Sequence, residues 1–308
     1  MDARAIVIGE ALVDIIRNAE GAKRSHPGGS PMNVAVGLAR LGIATALVTQ
    51  LGDDENGRMI VEHLRDSAVE LKPGSIRDDP TSTATATLDA TGAAIYDFDL
   101  RWSIGLPDVG GADLIHTGSI GSILEPGSAS VRSVFASAGP SVLLSFDPNI
   151  RPAIMGEHDE VTRRVEELAA QCHVVKMSDE DAAWLYPGRS LDDIADQYIA
   201  AGTSLFAVTQ GSNGCFVRTD VVDLRLPAPA VAVVDTVGAG DAFMSGLLGA
   251  ILASGRAGAV VAGRLDKPDV DQIAGVALRS AAITVSRAGA NPPRAEEFAV
   301  WGDDGEVP

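Results

Sequence analysis

A run of small residues before an aspartate is the part of this chain best suited to chemistry. Residues 235–243 read DTVGAGDAF, and an apolar run typical of a helix follows them. Glycine lets the backbone adopt conformations closed to other residues and lets a ligand approach it closely. A turn of this kind at a helix start presents unpaired N–H groups beside the positive end of the helix dipole, which suits a phosphate-like anion. Asp241 would then be able to take a proton from a hydroxyl group that attacks this phosphate.

The same residues have a simpler interpretation, because Asp favours helix starts where no catalysis is involved. The full nine-residue string is far more specific. It resembles the C-terminal signature of the ribokinase-like (PfkB) sugar kinases. The resemblance implies an anion hole formed by Gly238, Ala239 and Gly240. It also implies that Asp241 is the catalytic base.

A second motif lies near the other end of the chain. Residues 28–35 read GGSPMNVA, which resembles the N-terminal signature of the same family, a diglycine followed by x-x-x-N-x-A on a helix. An ordinary turn with a helix-start Asn gives the same pattern. The two motifs occur in the family's order, and together they predict that Gly28, Gly29 and Asn33 contact the sugar. Asn33 can donate and accept hydrogen bonds there.

The composition limits the partners of the chain. It has 308 residues with a net charge of −18, and 46% of the residues are hydrophobic. Such acidity argues against nucleic acids and anionic membranes, since binding to either requires clusters of Lys and Arg. We expect small-molecule partners and a monomer or homodimer. The two cysteines are too few for a disulfide framework, and no signal-peptide pattern opens the sequence, so we expect a cytoplasmic protein.

The order of elements indicates an α/β fold. Short apolar runs predict buried strands at 5–8, 44–48, 114–116, 142–146, 174–176 and 205–209. Helical patterns lie between them, for instance at 33–41, 57–67, 131–138 and 161–170. This alternation predicts a mostly parallel sheet covered on both faces, with ligands bound at the carboxyl ends of the strands.

Two segments, 11–27 and 81–101, break this rhythm, and the second alternates apolar and polar residues as an antiparallel hairpin does. The resemblance implies a ribokinase-like three-layer αβα core in which these segments form a small β lid over the sugar. We therefore predict a single kinase domain over residues 1–308.

Two further polar positions follow predicted strands. Asp14 lies just past the first strand, where the family places an Asp that binds sugar hydroxyls. Residues 147–152 read DPNIRP and resemble the D-x-N-x-R-P element of fructokinases and ketodeoxygluconate kinases. Arg151 is thereby a candidate contact for the substrate. A proline-framed turn with a surface Arg–Asp pair is the alternative.

Other motifs point to the nucleotide. The family has N-x-x-E where this chain has Ser178 and Asp181, so Ser178 is either a nucleotide contact or a helix cap, and Asp181 either holds Mg²⁺ through water or only completes that helix start. Residues 209–214 read TQGSNG and resemble the family's nucleotide-side turn, although the pattern alone indicates only a hairpin. This turn gives the nucleotide candidates Thr209, Gly211 and Gly214. Near the end of the chain, residues 277–289 resemble the family's helix and loop that pack against adenine and give the candidate Ala281, although small residues on a helix also serve close packing.

The resemblance also implies ATP and Mg²⁺ as cofactors and a possible K⁺ site. The candidate potassium ligands are Asp235, Val237, Thr284, Arg287 and Gly289. The activity expected is transfer of the γ-phosphoryl group of ATP to a sugar hydroxymethyl group, with fructose ranked first. Ketodeoxygluconate, ribose and nucleosides are the alternatives, and a non-catalytic sugar-binding regulator on the same scaffold is the hypothesis from another class.

Overall fold

The computed structural model describes residues 3–18, 22–88 and 94–300. Its fifteen strands in the described residues are β1 Arg4–Ile8, β2 Leu12–Arg17, β3 Lys23–Gly28, β4 Ala44–Val48, β5 Leu51–Gly52, β6 Glu70–Leu71, β7 Ile76–Arg77, β8 Thr83–Leu88, β9 Ala94–Asp99, β10 Leu114–Gly118, β11 Leu143–Asp147, β12 Val174–Ser178, β13 Leu205–Thr209, β14 Cys215–Arg218 and β15 Asp223–Leu226.

The eleven α-helices of the described residues are α1 Ser30–Arg40, α2 Glu55–Asp66, α3 Gly127–Ser137, α4 Pro152–Met155, α5 His158–Ala169, α6 Asp179–Leu185, α7 Leu191–Ala200, α8 Ala239–Ala253, α9 Ala257–Val261, α10 Lys267–Val285 and α11 Ala295–Val300. Within the same residues, no helix is long and apolar enough to span a membrane.

A nine-stranded sheet forms the centre of the molecule. Its strand order is β15-β14-β13-β12-β11-β10-β1-β4-β6, and the strands from β13 to β6 run parallel while β14 and β15 are antiparallel at one edge. All six predicted strands are present in it. The parallel order brings the carboxyl ends of β1, β10, β11, β12 and β13 to one edge, which is where such sheets bind ligands.

Successive residues of each central strand enter two different hydrophobic cores. Ala5 and Val7 belong to the core that also contains side chains of α1, α2, α8, α9 and α10. Ile6 and Ile8 belong to the core formed with α3, α5, α6 and α7. Because strand side chains alternate between the faces of a sheet, an unbroken apolar run fills both cores. The predicted three-layer αβα architecture is confirmed.

The helices begin earlier than their apolar periodicity indicates. The second helix was predicted from residue 57, but α2 starts at Glu55, because Asp54 is its N-cap and accepts a hydrogen bond from the Gly57 N–H at 2.7 Å. Cap and first-turn residues are polar, so hydrophobic spacing does not detect them.

A second sheet of four strands, with the order β3-β2-β8-β9, is separate from the nine-stranded sheet. Its strands fall inside the two segments assigned to the lid, except that β3 extends one residue further, to Gly28. Register pairing sets Asp14 of β2 opposite His26 of β3 and beside Ala84 of β8, so these side chains share one face. The turn between β8 and β9, predicted at residues 89–92, lies outside the described residues.

Candidate active site

The turn before α8 has the form expected of an anion hole. Gly238 is the N-cap and adopts a left-handed conformation with φ of 76°. A Cβ atom there would lie 2.6 Å from the Ala290 Cβ, so both conformation and clearance require glycine. In the described part of the chain, the N–H groups of Gly238, Gly240 and Asp241 have no acceptor, as expected at the start of a helix. The N–H of Ala239, also predicted for the anion hole, instead donates to the Thr236 carbonyl at 3.2 Å.

The carboxylate of Asp241 is held by two donors from helix α1. The Ser30 hydroxyl donates to Oδ1 at 2.6 Å, and the Asn33 side-chain amide donates to Oδ2 at 2.8 Å. The two sequence motifs thus meet in space at Asn33 and Asp241. Asn33 was predicted as a sugar contact; in this structure its N–H group bonds the predicted base, and its amide oxygen is left to accept from a ligand.

The diglycine lies between the lid and the end of β1. Gly29 is the N-cap of α1 with φ of 112°, and a Cβ atom there would lie 2.6 Å from the Glu10 carbonyl oxygen. A Cβ atom on Gly28 would overlap the Asp14 carboxylate. Gly28 therefore leaves the space in which the Asp14 side chain lies.

Asp14 faces outward from the lid sheet with positive charges nearby. Desolvation raises the pKa of Asp14, and the charges of His26 and Arg151 oppose this rise. The Arg151 side chain itself donates to the Ile150 carbonyl at 2.9 Å. Lid and core thus contribute opposite charges to the same region.

The loop at residues 147–152 is anchored by a buried ion pair that the sequence motif did not reveal. Lys176 Nζ lies 2.8 Å from Asp147 Oδ2, and both side chains are buried. The surface Arg–Asp pair considered for this loop is therefore wrong: Asp147 points into the protein and pairs with Lys176. Burial raises the pKa of Asp147 to about 6 even though Lys176 lowers it, and Asp147 holds the pKa of Lys176 above its usual value against the effect of burial.

Lys176 also lies beside the anion hole. A Cβ atom on Gly240 would lie 2.9 Å from Lys176 Nζ. Gly240 does not have a positive φ, so the need for glycine here is a matter of space rather than of backbone conformation. A positive charge adjoining the unpaired N–H groups strengthens the attraction for an anion.

Ser178 and Asp181 form a capping box at the start of α6. Ser178 Oγ accepts from the Asp181 N–H at 2.9 Å, and Asp181 Oδ2 accepts from the Ser178 N–H at 2.9 Å. Asp181 Oδ1 accepts from the Ile150 N–H at 2.8 Å. The capping interpretation of Ser178 is confirmed, and Asp181 additionally ties the 147–152 loop to α6. Roles of these residues toward nucleotide and metal stay predictions.

The other nucleotide candidates lie at the same sheet edge or on the helix that packs against α8. Thr209 is in register with Ser178 at the ends of adjacent strands. Gly211 begins a short 3₁₀ turn. Gly214 has φ of 90°, and a Cβ atom there would overlap the Leu226 carbonyl oxygen. Because β13 and β14 pair antiparallel on either side of this turn, residues 209–214 form the hairpin that the pattern predicted. Ala281 lies half-buried on α10, which contacts α8.

The five candidate potassium ligands lie in two adjacent segments, the loop before α8 and the end of α10 with the loop that follows it. Asp235 accepts hydrogen bonds from the N–H groups of Val237 at 3.0 Å and Gly289 at 2.8 Å, and these bonds lower its pKa. The Thr284 carbonyl accepts from the Arg287 N–H at 3.3 Å near the end of α10. The carbonyls of Val237 and Arg287 accept no hydrogen bond within the described residues.

Glu10 is a further buried carboxylate at this edge. Its Oε2 accepts from the Gly121 N–H at 2.9 Å. Burial raises its pKa to about 7, hydrogen bonds with Ser119 and Gly121 partly oppose this, and the negative charge of Asp241 adds to it.

Sequence reasoning missed Ser30, Lys176 and Glu10 as site residues. Ser30 occupies an unspecified position of the diglycine motif, and Glu10 and Lys176 looked like residues flanking a strand or within one. A charged residue inside an apolar strand run was the available signal for Lys176, since buried charges require a partner.

The sheet, the lid and the turn before Asp241 together define a ribokinase-like enzyme that transfers a phosphoryl group to an alcohol. The chain belongs to the pfkB family of carbohydrate kinases, whose model matches residues 2–297. It is 33% identical over 255 residues to a fructokinase from Rhizobium leguminosarum bv. trifolii, an alignment that covers 79% of this chain and 78% of the relative.

Solved structures of sugar kinases also resemble this chain. A fructokinase double mutant from Vibrio cholerae O395, bound to fructose, ADP and potassium ion, matches with a TM-score of 0.81 and 27% identity, over 96% of this chain and 97% of that one. A sugar kinase from Pyrococcus horikoshii in complex with ATP matches with a TM-score of 0.78 and 28% identity, over 96% of each chain.

Proposed function

We propose that this protein is a fructokinase that transfers the γ-phosphoryl group of ATP to the hydroxymethyl group of fructose. The observation that carries the proposal is the Asp241 carboxylate, held by Ser30 and Asn33 in the first turn of a helix whose Gly240 and Asp241 N–H groups have no acceptor in the described structure. Fructokinases among the similar sequences and structures support the choice of sugar.

In the proposed reaction the hydroxymethyl oxygen attacks the γ-phosphorus. The bond from this phosphorus to the β–γ bridging oxygen breaks, ADP leaves, and the hydroxyl proton passes to Asp241. The N–H groups of Gly240 and Asp241 stabilise the charge on the transferred group, and Lys176 adds positive potential from beside Gly240.

Sugar recognition is assigned to the lid and α1. Asp14 accepts hydrogen bonds from sugar hydroxyls, and Asn33 offers its amide oxygen. The backbone of Gly28 and Gly29 borders the sugar, and Gly28 leaves the space that the Asp14 carboxylate occupies. Arg151 contributes positive charge near Asp14.

Nucleotide binding is assigned to the strand ends and to α10. Thr209, Gly211 and Gly214 are proposed to contact the phosphates and ribose of the nucleotide. Ser178 is proposed to make a polar contact with the nucleotide at the neighbouring strand end, and Ala281 to pack against the base. This assignment rests on the register between Ser178 and Thr209 and on the packing of α10 against α8.

Mg²⁺ and K⁺ are proposed as the metal ions. Each oxygen of Asp181 accepts one backbone N–H, which leaves a lone pair for a water of hydrated magnesium. When bound, magnesium neutralises charge on the transferred phosphoryl group. The free carbonyls of Val237 and Arg287, beside Asp235, Thr284 and Gly289, suit a potassium ion near the negative end of α10.

The cellular setting proposed is the cytoplasm, where ATP is available. Cys172 and Cys215, both described by the structure, are free and buried, which fits a reducing compartment. No nucleic-acid or membrane partner is proposed, and sedimentation equilibrium will distinguish the predicted monomer from the homodimer.

The test is ADP release from the purified protein with a panel of fructose, ketodeoxygluconate, ribose and adenosine, each with Mg²⁺ and with or without K⁺. Fructose is expected to give the highest kcat/KM, and ³¹P NMR of the product is expected to show a phosphate monoester. Turnover of adenosine with none on any free sugar would overturn the choice of substrate. Binding of fructose with no ADP release at all would instead favour a regulator.

A further inference from the structure

A serine outside the recognised motif positions contacts the proposed base directly. Ser30 is the first residue of α1, is buried, and donates its hydroxyl to Asp241 Oδ1 at 2.6 Å. We propose that Ser30 is a positioning residue that orients the Asp241 carboxylate for proton abstraction. This inference rests on the proposed kinase function and adds a residue to its machinery.

The backbone around Ser30 is fixed on both sides. Gly29, with φ of 112°, packs on the Glu10 carbonyl, and the Pro31 ring lies against Gly9 so closely that a Cβ atom there would overlap it. Both contacts hold residues 29–31 against the end of β1. Ser30 therefore presents its hydroxyl from a fixed backbone position on α1, and the bond to Oδ1 restrains the rotation of the Asp241 carboxylate.

The hydroxyl has no other task in the described structure. The helix cap is Gly29, and no side-chain cap bond forms at this helix start. The only hydrogen bond that the Ser30 side chain makes within the described residues is the one to Asp241. A serine at a helix start commonly satisfies backbone N–H groups, so a buried one directed at a carboxylate across the fold indicates a specific role.

Two hydrogen-bond donors fix the orientation of the Asp241 carboxylate, which a single donor would leave free to turn. The torsion that turns an Asp carboxylate is broad and soft. Asn33 fixes Oδ2, and Ser30 fixes Oδ1, so the plane of the carboxylate is set while each oxygen keeps a lone pair for the sugar hydroxyl. After proton transfer, a hydroxyl can turn to accept as well as donate, which an amide N–H cannot. Ser30 thus keeps its bond in both protonation states of the base.

The test compares Ser30→Ala, Ser30→Thr and the control Ser245→Ala. Ser245 is a buried serine on α8 whose hydroxyl donates to the Ala242 carbonyl, so its loss removes a buried hydroxyl without touching the carboxylate. Steady-state kinetics give kcat and KM for fructose and ATP. Ser30→Ala is expected to lower kcat by about 10- to 100-fold, the value of a hydrogen bond to a charged group, with both KM values within about 2-fold. Ser30→Thr keeps the hydroxyl and is expected to restore most of kcat.

Repeating the Ser30→Ala substitution in the Asp241→Ala variant distinguishes an orienting role of Ser30 from a purely structural one. In Asp241→Ala the hydroxyl has no carboxylate to orient, so adding Ser30→Ala is expected to change the residual rate by less than about 2-fold. A loss of similar size in both backgrounds, or no loss of kcat in Ser30→Ala, would overturn the inference. Wild-type protein is assayed in parallel: its failure on fructose contradicts the proposed substrate, and the Ser30 series is then run on whichever sugar of the panel it phosphorylates.

Discussion

Lys176 and Asp147 form a buried ion pair, 2.8 Å apart, that lies beside Gly240 of the anion hole. The pair joins two parts of the site. Asp147 begins the loop that carries Arg151, and Lys176 adjoins the turn that carries Asp241. Asp147 Oδ1 has no partner in the described structure, so Lys176 is the main compensation for this carboxylate.

Lys176→Met is expected to lower both stability and activity. It leaves Asp147 buried and unpaired, which costs about 3–5 kcal/mol of unfolding free energy. The double variant Lys176→Met, Asp147→Leu removes both charges and is expected to recover much of the stability but little of kcat, because the positive charge beside Gly240 is still missing. Urea unfolding and steady-state kinetics measure the two effects. Full recovery of kcat in the double variant would show that the pair acts only on stability.

Asp241→Asn is expected to reduce kcat by about 10²–10⁴-fold, the usual effect of losing a general base. The new amide oxygen can still accept from the Asn33 side-chain N–H, and the new NH2 group can donate to the Ser30 hydroxyl, which can turn to accept, so the fold and the affinity for ATP are expected to persist. Isothermal titration with a non-hydrolysable ATP analogue checks binding, and circular dichroism checks the fold. Near-normal turnover in a folded variant would contradict the assignment of the base.

Asp14→Ala is expected to lower kcat/KM for fructose while leaving the affinity for ATP unchanged, because Asp14 lies on the lid sheet against Gly28 and not at the strand ends assigned to the nucleotide. A loss of about 10- to 100-fold corresponds to one or two hydrogen bonds. Equal losses for both substrates would point to a general disturbance of the lid instead.

The lid is expected to close on the sugar. The ends of the second lid segment are held by hydrogen bonds: the Thr81 hydroxyl donates to Asp54 of the core at 2.7 Å, and Ser82 Oγ at one end of the segment accepts from the Arg101 N–H at the other end at 2.8 Å. Movement is therefore expected between these anchors rather than at them. Hydrogen exchange of amides in Thr83–Leu88 and Ala94–Asp99 should slow with fructose and ADP, with α7 as an internal control. Unchanged exchange at saturating sugar would count against a closing lid.

Glu10 predicts a pH dependence of stability. Its pKa rises from an ordinary 4.5 to about 7 on folding, so the folded protein binds more protons than the unfolded chain between these values. The unfolding free energy therefore falls as pH rises through this window. Glu10→Gln removes this contribution, and its stability relative to wild type is expected to rise by about 3 kcal/mol from pH 4.5 to pH 8. Urea unfolding of both proteins at the two pH values measures this, and parallel profiles would contradict the prediction.

The architecture and the two ends of the site can be predicted from the sequence alone. Short apolar runs such as Leu205–Thr209 are typical of strands buried on both faces of a parallel sheet, and their alternation with helical patterns along the chain predicts the layers. Glycine at 238 and 29 marked the turns, because the local backbone there is open to few other residues. These properties are local or periodic along the chain, so they can be recognised in the amino-acid sequence.

Which polar groups face one another depends on the tertiary structure. Ser30 meets Asp241, 211 positions away, and Lys176 turns to Asp147 rather than leaving the carboxylate to Arg151. Such contacts depend on how α1 packs against α8 and on the register between neighbouring strands. Hydrophobic burial sets these positions, and the pattern of polar residues along the chain carries no trace of the partner that each will have.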